Sequence, residues 1–178
     1  MVGLLTLCAL GAAVLSSRHV SHGARPVASP LVGAPAPPLS GDTVTGGHVS
    51  LSQYRGRWVV LNFFASWCVP CEQETPVLAR FAHAHPGPRG PAVVGVVYQD
   101  DDGSVKAFSV SHGATWPLLA YRSAGASEAY GVSYIPVTFL IAPDGRVAAK
   151  LLGGLRPGQL DTVLAGTQAP VTPASASS

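Results

Sequence analysis

The chain has 178 residues, 47% hydrophobic and 11% charged, with a formal net charge of +2. That balance supplies a core and excludes disorder throughout, and the scattered Lys and Arg form no basic patch for nucleic acid or an anionic bilayer. With the apolar N-terminus and the Pro/Ala/Ser-rich tail set aside, there is room for one domain. We expect it to be a monomer with no nucleic-acid partner.

No residue from Met1 to Ser17 is charged, and Val2 to Leu15 are apolar except for Thr6. This has the length and character of a secretory h-region, so residues 1–20 are expected to be a signal peptide or a membrane anchor and the protein to be extracytoplasmic. A basic n-region is missing and residues 16–24 offer only a weak cleavage pattern, so removal and anchoring both stay open. Cys8 lies inside this run without a small residue just before it and reads as a small buried hydrophobe. Residues 21–38, rich in Pro, Ala, Gly and Ser, read as an extended linker.

The domain is expected over residues 39–166. Apolar-polar alternation around Gly46-Gly47 suggests a small hairpin over 44–51. Residues 58–64, Trp-Val-Val-Leu-Asn-Phe-Phe, read as a central strand buried on both faces. Val77, Leu78 and Phe81 mark one face of a helix over 72–83. A second buried strand follows at 92–98, then a polar Asp-Asp-Asp-Gly loop opening a helix over 104–112. A short strand at 116–120 and a short helix at 124–130 come next. Residues 137–141 and 146–152 flank Pro143-Asp144-Gly145, the clearest hairpin signal in the chain. A last helix is expected over 157–164, and 167–178 as a disordered tail. The β-α-β-α order predicts an α/β fold with crossover connections.

Two cysteines fall in the folded part, in Trp67-Cys68-Val69-Pro70-Cys71. So short a loop staples almost nothing, which excludes a structural disulfide framework and calls for chemistry. The pair sits where a buried strand passes into a helix. Cys68 then lies near the helix N-terminus, whose free amides and dipole favour a thiolate, and is the candidate nucleophile. Cys71, one turn on, can attack a mixed disulfide on Cys68 and is the candidate resolving thiol. A Cys-x-x-Cys beside a β-α-β pattern reads as a thioredoxin-like redox motif. No cofactor beyond this redox pair is expected. His83 and His85 match zinc-site spacings poorly, so no metal is expected either.

Residues 33–165 resemble the extracytoplasmic thioredoxin-like family that includes the ResA and TlpA proteins. The likeness rests on the lead-in Gly33-Ala34-Pro35-Ala36-Pro37 and on Asn62-Phe63-Phe64-Ala65-Ser66-Trp67-Cys68, where Asn62 replaces the buried Asp of ordinary thioredoxins. The resemblance implies a thioredoxin fold, three-layer α/β/α with a central mixed sheet and an N-terminal hairpin extension. It also implies a thiol-disulfide oxidoreductase, expected as a reductant of client disulfides, with a net oxidant of secreted proteins and a non-catalytic binding module of the same fold as the alternatives.

By the same resemblance, Glu74, three residues after the second cysteine, is the general acid/base. A partly buried carboxylate there would have its pKa raised toward a useful range. Pro136 takes the place of a cis-proline facing the dithiol, and Ile135 stands where the family often has Thr, contacting a client's backbone. Trp67 is a packing group beside the dithiol that exposure would let contact clients too. Pro76, inside the helix, is expected to bend it. The implied partners are protein clients bearing disulfides or thiols, including apocytochromes c, with a membrane thiol-transfer protein as electron donor. A peroxide-reducing enzyme would need Thr or Ser where Ala65 stands.

Overall fold

A computed structural model of the protein describes residues 23–121 and 125–168. The expected signal or anchor and most of the expected tail lie outside these residues. Thirteen elements follow in order: β1 (Arg25–Pro26), β2 (Ser40–Asp42), β3 (His48–Ser50), a 3-10 turn (Leu51–Tyr54), β4 (Val59–Phe64), α1 (Val69–Ala84), β5 (Ala92–Val97), α2 (Asp102–His112), β6 (Leu118–Leu119), α3 (Ala126–Ala129), β7 (Val137–Ile141), β8 (Val147–Leu152) and α4 (Gln159–Gln168). Among the described residues, no helix is long and apolar enough to cross a membrane.

The main sheet has the order β1-β8-β7-β4-β5-β6. β4, β5 and β6 run parallel, and β7, β8 and β1 add antiparallel. Every residue of β4, β5 and β7 is buried, as continuous apolar runs require when both sheet faces are covered. Successive side chains point to opposite faces. Val59, Leu61 and Phe63 join a core with Tyr130, Val137 and Phe139 on the α3 side. Val60 joins Val77, Leu78, Phe81, Leu160 and Leu164 under α1 and α4. Phe64 packs with Val105 and Phe108 of α2 on that second face. The layers are therefore helix, mixed sheet, helix. Asn62 shares the parity of Val60 and Phe64, which turns it toward α1.

The stretch expected to be a linker is tied to the domain from Ala24 onward. Arg25 and Pro26 pair with Leu152 and Leu151, Ala24 is buried, and the Val32 and Pro35 bridges continue along β8 to Val147 and Arg146. The outer edge of β8 leaves backbone donors and acceptors that need partners. A proline-rich strip satisfies them because an edge strand tolerates residues without an N–H. Tyr130 also donates its hydroxyl hydrogen to the Pro37 carbonyl at 2.9 Å.

The second hairpin strand, at 48–50, falls within the expected stretch, whereas the first lies before it, at 40–42; the two form a two-stranded ribbon. Gly46 and Gly47 both carry positive φ in the turn, a conformation open to glycine without steric cost. α1 starts at Val69, three residues earlier than expected, because Cys68 caps it and Pro70 fits a first turn whose N–H would be unpaired anyway. It continues through Pro76.

Candidate active site

The dithiol sits at the C-terminal end of β4, where the chain turns into α1. Cys68 is the N-cap of that helix, in extended conformation, and its Sγ accepts a hydrogen bond from the Cys71 amide at 3.3 Å. The two cysteines form a disulfide with their Cα atoms 5.2 Å apart. Cys71 has no exposed surface, whereas Cys68 retains 6%. Once reduced, Cys68 therefore meets both the helix dipole and whatever approaches from solvent, and both favour it as the attacking thiolate.

The preceding loop is braced by the chain after β5. Asp100 Oδ2 accepts from the Ser66 amide at 2.6 Å, and the Trp67 indole N–H reaches the Gln99 carbonyl at 3.3 Å. Gln99 has a φ of 47°, a left-handed conformation rare outside glycine. Trp67 itself is 58% exposed, so one edge of its ring is anchored while the rest stands in solvent beside the disulfide. Nothing in the sequence pattern pointed to Gln99 or Asp100; they reach the site only because β5 lies parallel to β4.

Opposite the disulfide, the Ile135–Pro136 bond is cis, and the Pro136 carbonyl accepts from the Gly153 amide at 3.0 Å. Ile135 packs against the cluster that contains both cysteines. The structure thus brings Trp67, Cys68, Cys71, Ile135 and Pro136 to one end of the sheet.

Glu74 lies behind them on α1, with 1% of its surface exposed. Its Oε1 accepts from Asn62 Nδ2 at 2.7 Å, and its Oε2 from the Leu155 amide at 2.9 Å. Asn62 Nδ2 also reaches Thr138 Oγ1 at 3.1 Å. Burial pushes the Glu74 carboxyl up to about 7, while the bonds from Leu155 and Asn62 pull it back. A carboxyl titrating there can both give and take a proton near neutrality. Glu74 also lines a cleft of about 550 Å³ with Pro70, Gln73, Ile135, Pro136 and Arg156, so the buried group borders a route to solvent.

Sequence reasoning missed Thr138 and the Leu155 amide. Thr138 left a faint signal as the one polar residue in Val137–Ile141, where it is fully buried; a backbone amide leaves none. The histidines weighed against zinc lie at the far end of α1, where His85 Nε2 sits 2.7 Å from Asp161 Oδ1. Among the described residues, no His, Cys, Asp and Glu side chains gather in threes as metal ligands.

A model of the AhpC/TSA family matches residues 32–150. The chain belongs to the AhpC/TSA family. Within it, the chain is similar to thiol-disulfide oxidoreductase ResA of Bacillus subtilis (strain 168), at 31% identity over 150 residues, 84% of this chain and 80% of the relative. ResA of Geobacillus thermodenitrificans (strain NG80-2) is 33% identical over 150 residues, 84% of this chain and 83% of that one. A solved thiol:disulfide interchange protein of the thioredoxin family from Chlorobium tepidum TLS matches with a TM-score of 0.68 at 26% identity, covering 80% of this chain and 97% of that chain. This AhpC/TSA member has the thioredoxin fold and is a thiol-disulfide oxidoreductase with the redox pair Cys68–Cys71. Ala65, fully buried beside Cys68, carries no hydroxyl of the kind that peroxide reduction was expected to need.

Proposed function

We propose that the protein reduces disulfides in client proteins outside the cytoplasmic membrane, with Cys68 as nucleophile, Cys71 as resolving thiol and Glu74 as acid/base. The observation that carries this reading is the buried Glu74, held by Asn62 and the Leu155 amide at the wall of a cleft that Ile135 and Pro136 share. The reduced Cys68 thiolate attacks one sulfur of a client disulfide, and the other client sulfur leaves as a thiolate and takes a proton. Glu74 accepts the Cys71 proton, and the Cys71 thiolate attacks Cys68 Sγ. The second client thiolate leaves, and the Cys68–Cys71 disulfide stores the two electrons' worth of oxidation. Trp67 and Ile135 flank the attacked sulfur and would contact the client's backbone and side chains.

The likeness to ResA proteins favours apocytochromes c as clients, whose haem-binding cysteines must be reduced before attachment. Reducing power must be resupplied in a compartment that keeps thiols oxidised, which calls for a membrane thiol-transfer protein as donor. The uncharged, largely apolar run at 1–17 supports export or anchoring. Cys71→Ser cannot resolve a mixed disulfide, so clients should accumulate on Cys68 as adducts released by reductant, whereas Cys68→Ser traps far fewer. Apocytochromes among the adducts support them as the clients, and a broad set of secreted proteins favours a general oxidant or reductant instead. A redox potential near −270 mV, roughly that of thioredoxin, suits a reductant, and one near −120 mV a net oxidant.

A further inference from the structure

The β2–β3 ribbon is a sheet of its own, tied to β6 by the Thr43–Leu119 bridge and by the Ala120 amide on the Asp42 carbonyl. Its register sets Ser40 opposite Ser50 and Asp42 opposite His48. Residues directly opposite, or two apart on one strand, share a face, so these four side chains leave the ribbon on the same side. His48 bridges two of them: its Nε2 is 2.8 Å from Ser40 Oγ, and its Nδ1 is 3.1 Å from Asp42 Oδ1. The order of atoms is hydroxyl, Nε2, Nδ1, carboxylate. We propose that Ser40, His48 and Asp42 form a second catalytic site, which hydrolyses small carboxylic esters independently of the dithiol.

With Nδ1–H donated to Asp42, the imidazole presents its Nε2 lone pair to the Ser40 hydroxyl, the tautomer a serine nucleophile needs. Ser40 Oγ forms a bond to the ester carbonyl carbon while its proton passes to His48 Nε2. The bond to the alcohol oxygen then breaks, and the alcohol leaves with that proton. Water, deprotonated by His48, hydrolyses the acyl-serine and restores the hydroxyl. No oxidant, metal or further reactant enters the balance.

Ser40 also lines a cavity of about 600 Å³, which gives the ester somewhere to sit. Leu39, Leu51 and Tyr54 supply apolar walls for a short acyl group, and Ser50 and Arg55 supply polar hydrogens on the same lining for a developing oxyanion. Asp42 and His48 have side chains 84% and 61% exposed, so water screens their attraction. The acceleration belongs at the low end of general-base catalysis, about a hundredfold.

The test is hydrolysis of p-nitrophenyl butyrate by the oxidised protein, in which neither cysteine offers a thiolate. Ser40→Ala and His48→Gln should each lower the rate at least about tenfold, with insulin reduction unchanged as proof that the fold and the dithiol are intact. A fluorophosphonate probe should add to Ser40, located by peptide mass spectrometry, and the adduct should be missing from the His48→Gln protein. Hydrolysis by Ser40→Ala at the parent rate, or a probe that reacts elsewhere and leaves Ser40 free, overturns the proposal.

Discussion

Asn62 Nδ2 donates to Glu74 Oε1 at 2.7 Å, so the carboxylate behind the dithiol is gripped from the middle of the central strand. Replacing Asn62 by Asp would set a second carboxylate against the first. Two acids at that distance cannot both ionise readily, so the pair should hold a proton to higher pH. Asn62→Asp should unfold in less urea at pH 8 than at pH 5, by a wider margin than the parent protein. Equal margins would mean that Glu74 is not coupled to this position.

Glu74 itself makes stability depend on pH, with a definite sign. Its carboxyl is raised by burial from the ordinary 4.5 to about 7 in the folded protein. The protonated form therefore fits the fold better, and its contribution is fully present below pH 4.5 and lost as pH rises through about 7. The loss is about 3 kcal/mol, an order-of-magnitude figure. Glu74→Gln should remove this slope and, in insulin reduction, the inflection of rate near pH 7. Urea midpoints for the two proteins that run parallel from pH 4.5 to 8 would deny Glu74 its titration.

The two thiols should differ in reactivity once the disulfide is reduced. Cys68 keeps 6% of its surface at the helix N-terminus, while Cys71 has none. Iodoacetamide at neutral pH should label Cys68 roughly tenfold faster or more. Peptide mapping after brief labelling reads the ratio, and preferential labelling of Cys71 would reverse the two roles.

Gly95 occupies a buried position in β5 where a side chain has no room. A Cβ there would lie 2.6 Å from Leu118 Cδ2 and 3.0 Å from the Phe64 ring. Gly95→Ala should cost about 1–3 kcal/mol through overpacking. Chemical denaturation measures it; an unchanged midpoint would show that Leu118 moves aside freely.

The strip before the hairpin should behave as part of the domain. A chain beginning at residue 39 loses the β1–β8 pairing, the buried Ala24 and the acceptor of the Tyr130 hydroxyl, the last alone worth about 1–3 kcal/mol when left unpaired. Its melting temperature should fall clearly below that of a chain beginning at residue 23. Identical melting would restore this stretch to the status of a linker.

Local pattern in the sequence was enough for the α/β order, the two buried strands, the hairpin at Pro143-Asp144-Gly145 and the placement of a Cys-x-x-Cys at a strand-to-helix junction. Each depends on residues close together in the chain, where apolar periodicity, caps and turn chemistry act. Tertiary structure decided what depends on distant partners. Glu74 takes its two hydrogen bonds from Asn62, 12 residues earlier, and from the backbone of Leu155, 81 residues later. Gln99 and Asp100 meet the dithiol loop only through the parallel register of β4 and β5. The Pro-rich strip looked like a linker because two strand residues carry no periodicity to read. Its place was set by the unpaired edge of β8, and the demand of backbone polar groups for partners is written in no side chain.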